Sequence, residues 1–356
     1  MAKIIHTGDL HLDSPFSLLS PEEGRLRRAS LREVFSKIID IANEEAVDVL
    51  ILAGDIFDTY PIRPETETAF LHDLRRAKCR VFITPGNHDP YTPDSPYARL
   101  EFPENVHIFK STGLESVELP DLSLRIYGAA YTSEAKNDRI LDGVTVPEDD
   151  LANILILHSN LNAEGYSPVS SAEIAASGAD YAALAHIHKP TEIITENGVS
   201  YAYCGCPEAR DFGESYETAI YIGEVSKGSV SISRRSVSDI RYREITVDIS
   251  KNADIFSSLP APAPREFLRL TLTGEVEGDA VSKIEEALAP SYAELYISDR
   301  TSAPRNIWEG LADDGLRGLF LRKMKAQLDA CETDEEKKKI ELAARFGIDS
   351  IENRDI

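Results

Sequence analysis

Short polar clusters follow runs of aliphatic residues at five points between residues 8 and 188 of this 356-residue chain. Aliphatic runs of this kind are typical of strands that a sheet buries on both faces. Glycine and polar residues at the end of such a strand belong to loops that carry function. Because the carboxyl ends of these strands lie along one edge of an open α/β sheet, we expect the clusters to form one site. The clusters are Gly8-Asp9-Leu10-His11, Gly54-Asp55-Ile56-Phe57-Asp58, Gly86-Asn87-His88-Asp89, Leu157-His158-Ser159-Asn160 and His186-Ile187-His188.

The side chains of these clusters are suited to hard or borderline divalent metals. They offer oxygen atoms and imidazole nitrogens but no thiolate, so Mn, Fe and Zn are all chemically compatible with the set. The candidates are too many for one metal that keeps an open coordination position. Two metals about 3.5–4 Å apart, with one bridging carboxylate, use them all. The candidate metal ligands are Asp9, His11, Asp55, Asn87, His158, His186 and His188.

The order of the motifs resembles that of the calcineurin-like metallophosphoesterase superfamily. The motifs read Asp-x-His, Gly-Asp-x-x-Asp, Gly-Asn-His-Asp, His and His-x-His, and they cover roughly residues 1–210. The resemblance implies an α/β fold, a four-layer αββα sandwich, and hydrolysis of phosphodiesters at two divalent metals bridged by Asp55. It implies that one metal is held by Asp9, His11, Asp55 and His188, and the other by Asp55, Asn87, His158 and His186.

The resemblance also implies catalytic roles for two residues that are not metal ligands. His88 is expected to face the scissile phosphate, where it donates to the developing oxyanion or protonates the leaving oxygen. Asp58 is expected to orient Asp55 and raise its basicity. An Asp after a strand also makes ordinary turns and helix caps, and this alternative stays open for Asp58. For Asp13 and Asp89 a supporting role and a plain loop position are equally compatible with the sequence.

A later segment resembles one branch of the superfamily, the bacterial DNA repair exonucleases of the SbcD/Mre11 type in their YhaO-like variant. A predicted strand at Val199–Tyr203 precedes the segment Gly205–Glu214, in which Cys206 replaces the Ser of a Gly-Ser-Pro turn. The resemblance implies a metal-dependent DNA exonuclease with endonuclease activity as a second option, Mn²⁺ as the metal, a homodimer and an SbcC/Rad50-type ATPase partner. Two alternatives remain: a small-molecule phosphodiesterase or phosphatase, and an assembly subunit of such an ATPase complex.

The sequence pattern divides the chain into a catalytic domain at 1–240, a capping domain at 241–305 and a helical tail at 306–356. Strands are predicted at 241–249, 267–272 and 293–298, with a helix at 279–288. This unit either restricts which DNA reaches the metals or only completes the fold. In the tail, an apolar stripe from Leu316 to Cys331 predicts one helix, while Thr333–Glu336 is a capping box and Gly347 is placed to end a second helix. The pair docks on an ATPase or on its own catalytic domain.

The formal net charge of −23 argues against strong independent binding to DNA, because proteins that grip a polyanion usually carry a basic surface. Bound divalent ions would concentrate positive charge where a phosphate must lie. No apolar run approaches 18 residues, and the first strand follows Met1 almost at once. These features predict a cytoplasmic protein with no membrane segment and no signal peptide. The four cysteines are too sparse for a disulfide framework.

Overall fold

The computed structural model describes residues 1–58, 61–134, 138–250, 255, 259–262, 265–276, 279–303 and 306–352. The chain forms two compact units. The first comprises Met1–Ile245, Ala261–Arg269 and Leu288–Tyr296, and the second the described residues of Thr246–Pro260, Leu270–Ala287 and Ile297–Ile356. The three-part division at residues 240 and 305 remains a prediction.

Two six-stranded sheets form the centre of the first unit. The first sheet has the order β12-β11-β1-β2-β3-β4, and the second has the order β5-β6-β7-β8-β10-β9. The strands of the first sheet are β1 (Ala2–Thr7), β2 (Val49–Leu52), β3 (Arg80–Ile83), β4 (Val106–Ile108), β11 (Ile220–Ser226) and β12 (Ser229–Arg235). Those of the second are β5 (Glu115–Leu119), β6 (Leu124–Gly128), β7 (Ala152–His158), β8 (Tyr181–Ala185), β9 (Ile194–Glu196) and β10 (Val199–Tyr203).

The parallel strands at the centre of each sheet determine where the polar clusters lie. Strands β1 to β4 are parallel to one another in the first sheet, and β6, β7, β8 and β10 are parallel to one another in the second. The five clusters therefore follow the carboxyl ends of β1, β2, β3, β7 and β8. The first three clusters thus lie at the carboxyl edge of the first sheet and the last two at that of the second, rather than along the edge of one sheet as the sequence predicted.

Helices cover the outer face of each sheet. One hydrophobic core packs the first sheet against α1 and α2, a second lies between the two sheets, and a third packs the second sheet against α4. The alternation of cores and layers confirms the expected αββα sandwich. The helices of this unit are α1 (Pro21–Glu44), α2 (Pro64–Arg76), α3 (Pro96–Arg99) and α4 (Ser171–Ala176).

A third sheet has the order β13-β14-β15 and confirms the strands and helix predicted after residue 240, with shifted bounds. Two of its strands are longer than the alternating apolar pattern indicated, because backbone pairing continues into polar residues at their ends. The elements are β13 (Ile240–Asp248), β14 (Arg265–Glu275), α5 (Ala280–Leu288) and β15 (Glu294–Ser302).

Two helices, α6 (Leu316–Asp329) and α7 (Asp334–Ile351), follow in the second unit, and α7 begins with the predicted capping box at Thr333. The predicted end at Gly347 is wrong, because α7 continues to Ile351. A Cβ at Gly347 would lie 2.1 Å from the ring of Phe320, so glycine here permits close packing of the helix pair. Among the described residues, no helix is both long and apolar enough to cross a membrane.

A buried ion pair joins α1 to the segment Gly205–Glu214. Arg27 is 3% exposed and Glu208 is 2% exposed. The Nη1 atom of Arg27 donates to Oε1 of Glu208 at 2.8 Å, and Nη2 donates to the carbonyl oxygen of Ala209 at 2.7 Å. The hydroxyls of Ser30 and Ser238 donate to the other carboxylate oxygen at 3.0 and 2.7 Å. These buried hydrogen bonds are shielded from water, and they hold the segment Gly205–Glu214 against α1.

Replacing Glu208 by alanine is expected to lower the free energy of unfolding by about 3–5 kcal/mol, because Arg27 is left buried and without its counter-charge. Urea denaturation of the purified protein measures the change. Glu22→Ala is the control, since Glu22 pairs with Arg25 on the exposed face of the same helix and exposed pairs contribute little. Equal midpoints for the two variants would contradict the role given to Glu208.

Candidate metal centre

The chain turns sharply at several residues of the polar clusters. The φ angles of Asp9, His11 and Asp55 are 47°, 43° and 49°, and that of His186 is 100°. This left-handed region is uncommon for residues other than glycine, although Asp and His adopt it more often than most. Such backbone strain costs roughly 1–3 kcal/mol per residue and is concentrated at functional sites. The turns bring the side chains back to the edge where the strands end.

One group of candidate ligands consists of Asp9, His11 and His188, whose ligand atoms all lie within 4.8 Å of one another. The two imidazoles face each other, with their Nε2 atoms 3.1 Å apart. The backbone N–H of His186 donates to both carboxylate oxygens of Asp9 at 3.1 Å. The predicted ligands from β1 and β8 are thus close enough to bind one ion.

A second group consists of Asp55, His158 and His186, again within 4.8 Å. The side-chain oxygen of Asn87 completes it, lying 3.0 Å from Nε2 of His158 and 3.1 Å from Nδ1 of His186. Oδ2 of Asp55 lies 3.2 Å from Nε2 of His158 and 3.8 Å from Nε2 of His11 in the first group. Asp55 therefore lies between the two groups, as a bridging ligand must. The structure brings together all seven predicted ligands.

The two predicted catalytic residues lie beside the first group. Together with His11, Asp58 and His88 form a third set whose ligand atoms lie within 4.8 Å. The carboxylate of Asp58 accepts from Nδ1 of His11 at 3.0 Å and from Nη1 of Arg210 at 3.1 Å. The carboxylate of Asp58 thus contacts His11, and the orienting role expected of Asp58 remains a prediction. His88 is exposed, and its Nδ1 lies 3.1 Å from the carbonyl oxygen of Asp58.

The centre combines buried negative charge with imidazoles whose protonation responds to it. Burial raises the pKa of Asp9, and charges on His158 and His188 offset this only in part. Burial would also raise the pKa of Asp55, but the charge and hydrogen bond of His158 outweigh it and lower that pKa well below its usual range. The pKa of His158 is lowered by burial but raised more strongly by Asp55 and Asp9, to about 9. The centre therefore attracts positive charge.

The outward-facing nitrogens of three histidines show that the residues fit bound cations. Nδ1 of His11, His158 and His188 lies 3.0, 3.0 and 2.8 Å from an oxygen that can only accept. Each Nδ1 is therefore an N–H donor, so a cation that replaces the Nε2 proton meets an Nε2 lone pair from each ring, the arrangement usual for metal-ligating histidines. Nε2 of His11 and Nε2 of His188 are 3.1 Å apart, so a shared proton or a metal cation must lie between their lone pairs.

Glu214 and Arg210 take part in this arrangement but were not identified from the sequence. The Oε1 atom of Glu214 is the acceptor for His188. Arg210 Nη2 donates to that same oxygen at 2.8 Å; it also lies 3.0 Å from Nδ1 of His188, but the carboxylate is its closer partner. Glu214 belongs to the acidic segment after Gly205, which was the only signal available, and its distance of 26 residues from His188 along the chain gave no indication of contact.

Asp89, which the sequence left unassigned, connects two of the clusters. Its carboxylate is fully buried and accepts from the backbone N–H groups of Ile56, Phe57 and Gly86 at 2.7, 3.0 and 2.8 Å. Burial, with the nearby charge of Asp55, raises its pKa to about 7. Asp89 therefore fixes the loop after β2 against the loop after β3. By contrast Asp13 accepts hydrogen bonds from Arg63 N and the Thr66 hydroxyl, and so connects the loop after β1 to the start of α2.

The glycines of two clusters are required by the closeness of the ligands. A Cβ at Gly86 would lie 2.1 Å from Oδ1 of Asp55, and a Cβ at Gly54 would lie 2.3 Å from Nδ1 of His158. Gly54 also has a φ of 98°, which side chains rarely adopt. A larger residue at either position would therefore displace the ligand side chains.

The model of the calcineurin-like phosphoesterase family matches residues 2–190. The matched region is more than half of the chain and contains all seven clustered ligands. This chain belongs to the calcineurin-like phosphoesterases. Members of this family use two divalent metals, in agreement with the two groups that share Asp55. The roles of the individual ligands in this phosphoesterase remain predictions.

Three relatives extend the similarity beyond the family region. The phosphoesterase is 30% identical to the uncharacterized metallophosphoesterase YhaO of Bacillus subtilis, over 89% of this chain and 85% of YhaO. It is 25% identical to the SbcD component of the nuclease SbcCD of the same organism, over 64% of this chain and 67% of that protein. It is 20% identical to the DNA double-strand break repair protein Mre11 of Methanopyrus kandleri, over 91% of this chain and 76% of that protein. The homology confirms the resemblance to this branch.

Replacing Glu214 by alanine is expected to weaken metal binding by about 10–100-fold, because His188 loses the acceptor that fixes its ring. Calorimetric titration of the metal-free protein with Mn²⁺ measures the affinity. Glu217→Ala is a matched control, since the Glu217 side chain is 80% exposed and pairs only with Arg241 among the ion pairs of the described residues. Unchanged affinity in Glu214→Ala would show that His188 needs no such support.

Proposed function

We propose that this phosphoesterase is a metal-dependent DNA nuclease of the SbcD/Mre11 type that hydrolyses phosphodiester bonds in DNA repair, as an exonuclease with endonuclease activity as a second option. One observation carries the proposal: two groups of ligands from the carboxyl ends of strands in both sheets share Asp55, beside the exposed ring of His88. Two relatives are named as a nuclease component and a double-strand break repair protein. These names support a DNA substrate over other phosphodiesters.

The seven ligands fit two divalent ions, in the two sets that the family resemblance implies. When bound, such ions make hydroxide available near neutral pH and stabilise negative charge on a phosphate. The protein's own contribution is to hold the ligands in position. Asp58, Glu214 and the carbonyl of Ala53 fix three imidazole rings, and Asp89 fixes the loops that carry Asp55 and Asn87.

His88 is the residue best placed to act on the leaving oxygen. Its backbone N–H donates to Oδ1 of Asp55 at 2.9 Å, which ties it to the centre. Its ring Nδ1 donates to the carbonyl oxygen of Asp58, and its ring packs edge-on against His11 with centroids 4.8 Å apart. Nε2 is then the atom available to a substrate. A proton on Nε2 can be donated to the oxygen that leaves phosphorus.

The variant His88→Ala is expected to retain both metals and to lose about 10²–10⁴-fold in kcat, the usual contribution of a general acid. The variant Asp55→Ala should lose metal as well as activity, because it removes the shared ligand. Elemental analysis and hydrolysis of a dinucleotide, whose alkoxide leaving group needs a proton far more than a nitrophenolate does, separate the two effects. A fully active His88→Ala enzyme would refute the role of His88, whatever its metal content.

The finer features of this function also belong to the proposal. We infer that Mn²⁺ is the metal, that the protein is a cytoplasmic homodimer, and that its helical tail binds an SbcC/Rad50-type ATPase. Leu316 and Leu319 of α6 are 70% and 54% exposed, although their sequence pattern predicted burial. Exposed apolar residues on a charged helix pair support an interaction with another chain. A basic surface on that partner would compensate for the net charge of −23.

A small-molecule phosphodiesterase or phosphatase is the second candidate function. The acidic net charge favours it, because a small substrate does not need a basic surface that follows a DNA backbone. The third sheet and the helical tail favour the nuclease, since neither is needed to hydrolyse a small diester. A third candidate, an assembly subunit of an ATPase complex, is disfavoured by the complete set of clustered ligands.

Incubation with Mn²⁺ and end-labelled linear duplex DNA tests the proposed substrate directly. We expect progressive shortening on a denaturing gel, abolished by chelator and by Asp55→Asn, because that variant weakens the shared metal ligand. The end from which the label disappears gives the polarity. Intact DNA beside rapid hydrolysis of small phosphodiesters would overturn the nuclease in favour of the small-molecule enzyme.

A further inference from the structure

A cavity of about 390 Å³ opens beside the metal centre, and all of the residues that line it belong to the first unit. Its volume falls in the range of roughly 300–1,000 Å³ that is usual for small-molecule sites. None of the steps assigned to the metal centre requires it. Its most distinctive lining residues are Phe16, Phe212, Tyr242, Phe267, Arg269 and Tyr296.

Aromatic rings in several orientations form the wall of this cavity. Phe212 meets Tyr242 and Tyr296 edge to face, with ring centroids 5.0 and 5.5 Å apart. Tyr242 stacks on Phe267 at 4.6 Å. The guanidinium carbon of Arg269 lies 4.1 Å from the centroid of Phe212. Because Tyr296 is 39% exposed and Phe212 is half-buried, ring surface remains open to a ligand.

The cavity and the metal centre share two residues. Asp58 and Arg210 line the cavity. The same two side chains contact the metal ligands, Asp58 at His11 with a distance of 3.0 Å and Arg210 through Glu214 at His188. Phe212 follows Arg210 by two positions in the segment that the buried Glu208 holds in place. The cavity is therefore next to the metal centre, so a group bound in it can belong to the same nucleotide as a phosphate at the metals.

The lining selects a flat, uncharged, aromatic group. Planar rings and a guanidinium provide stacking and cation–π contacts for such a group. An anionic ligand is disfavoured, because Asp58 and Asp211 line the cavity and both of its guanidinium groups are already paired, Arg210 with Asp58 and Glu214 and Arg269 with Glu244. Nucleobases have the required shape and chemistry, and they are attached to the phosphates that a nuclease cleaves.

We propose that this cavity binds the nucleobase of the nucleotide adjoining the scissile phosphate, with Phe212 as its principal stacking surface. The inference rests on the proposed hydrolysis of nucleotide phosphodiesters and specifies how the substrate is positioned. Stacking accepts every base, so the cavity does not read sequence. A base enters it only after leaving the DNA stack, and this favours strand ends and single-stranded DNA over the interior of a duplex.

The ratio of kcat/KM for two chromogenic diesters tests the inference. One is the p-nitrophenyl ester of thymidine 5′-monophosphate and the other is methyl p-nitrophenyl phosphate, which has the same leaving group but no base. Base stacking of about 1–3 kcal/mol predicts that Phe212→Ala lowers this ratio by roughly 5–150-fold. Phe212→Trp keeps an aromatic stacking surface and should show the wild-type ratio. Leu26→Ala, at an apolar residue of α1 that is 49% exposed and does not line the cavity, should leave both activities unchanged.

Fluorescence provides a readout that does not depend on turnover. A short single-stranded oligonucleotide with terminal 2-aminopurine is titrated with chelator-treated protein, and stacking on Phe212 quenches the base. We expect quenching by the wild type and by Phe212→Trp, and at least fivefold less by Phe212→Ala. Equal quenching and an equal substrate ratio in wild type and Phe212→Ala would overturn the inference.

The inference and the proposed function fail in different ways. If the wild type degrades DNA while Phe212→Ala keeps the wild-type substrate ratio, the cavity does not bind the base and the nuclease stands. If DNA stays intact while the thymidine ester is hydrolysed in a Phe212-dependent way, the nuclease is wrong and the base site is supported for a small nucleotide substrate.

Discussion

The burial of two carboxylates side by side is the constraint on which the rest of this structure depends. Asp9 and Asp55 are each 1% exposed, and neither is paired with a lysine or arginine among the described ion pairs. Buried charge of this kind is stable only with a counter-charge and satisfied hydrogen bonds. Backbone N–H groups of His186 and His88 donate to the two carboxylates. Imidazoles surround them, and divalent cations would complete the charge balance that the imidazoles begin.

The residues around this centre hold it from two sides. On one side Asp58 and Glu214 fix the rings of His11 and His188, and the buried pair of Arg27 with Glu208 holds the segment that carries Glu214. On the other side Asp89 ties together the loops that follow two neighbouring strands. Geometry of this precision needs such support, because a ligand that can rotate loses affinity for its metal. The same segment that supports His188 also forms a wall of the aromatic cavity.

The sequence predicted the parts of this arrangement that are local. Each ligand closely follows an aliphatic run, so strand burial and parallel pairing were sufficient to place all seven ligands at the carboxyl ends of strands. The sequence did not show that these strands belong to two sheets. Contacts between distant segments were not predictable, because no local pattern connects Glu214 with His188 or Asp89 with Ile56. The contact of Asp58 with His11 was not predictable for the same reason. The end of α7 was misjudged because Gly347 serves close packing with Phe320, whereas its sequence context is that of a helix terminus.

Anomalous diffraction from crystals grown with Mn²⁺ tests the central claim most directly, because it locates the ions without reference to activity. The account predicts two peaks about 3.5–4 Å apart, with Asp55 bridging them. One ion should contact Asp9, His11 and His188, and the other Asn87, His158 and His186. A single ion, or an ion held by His11, Asp58 and His88, would contradict the two-metal centre and the role of Asp55 within it.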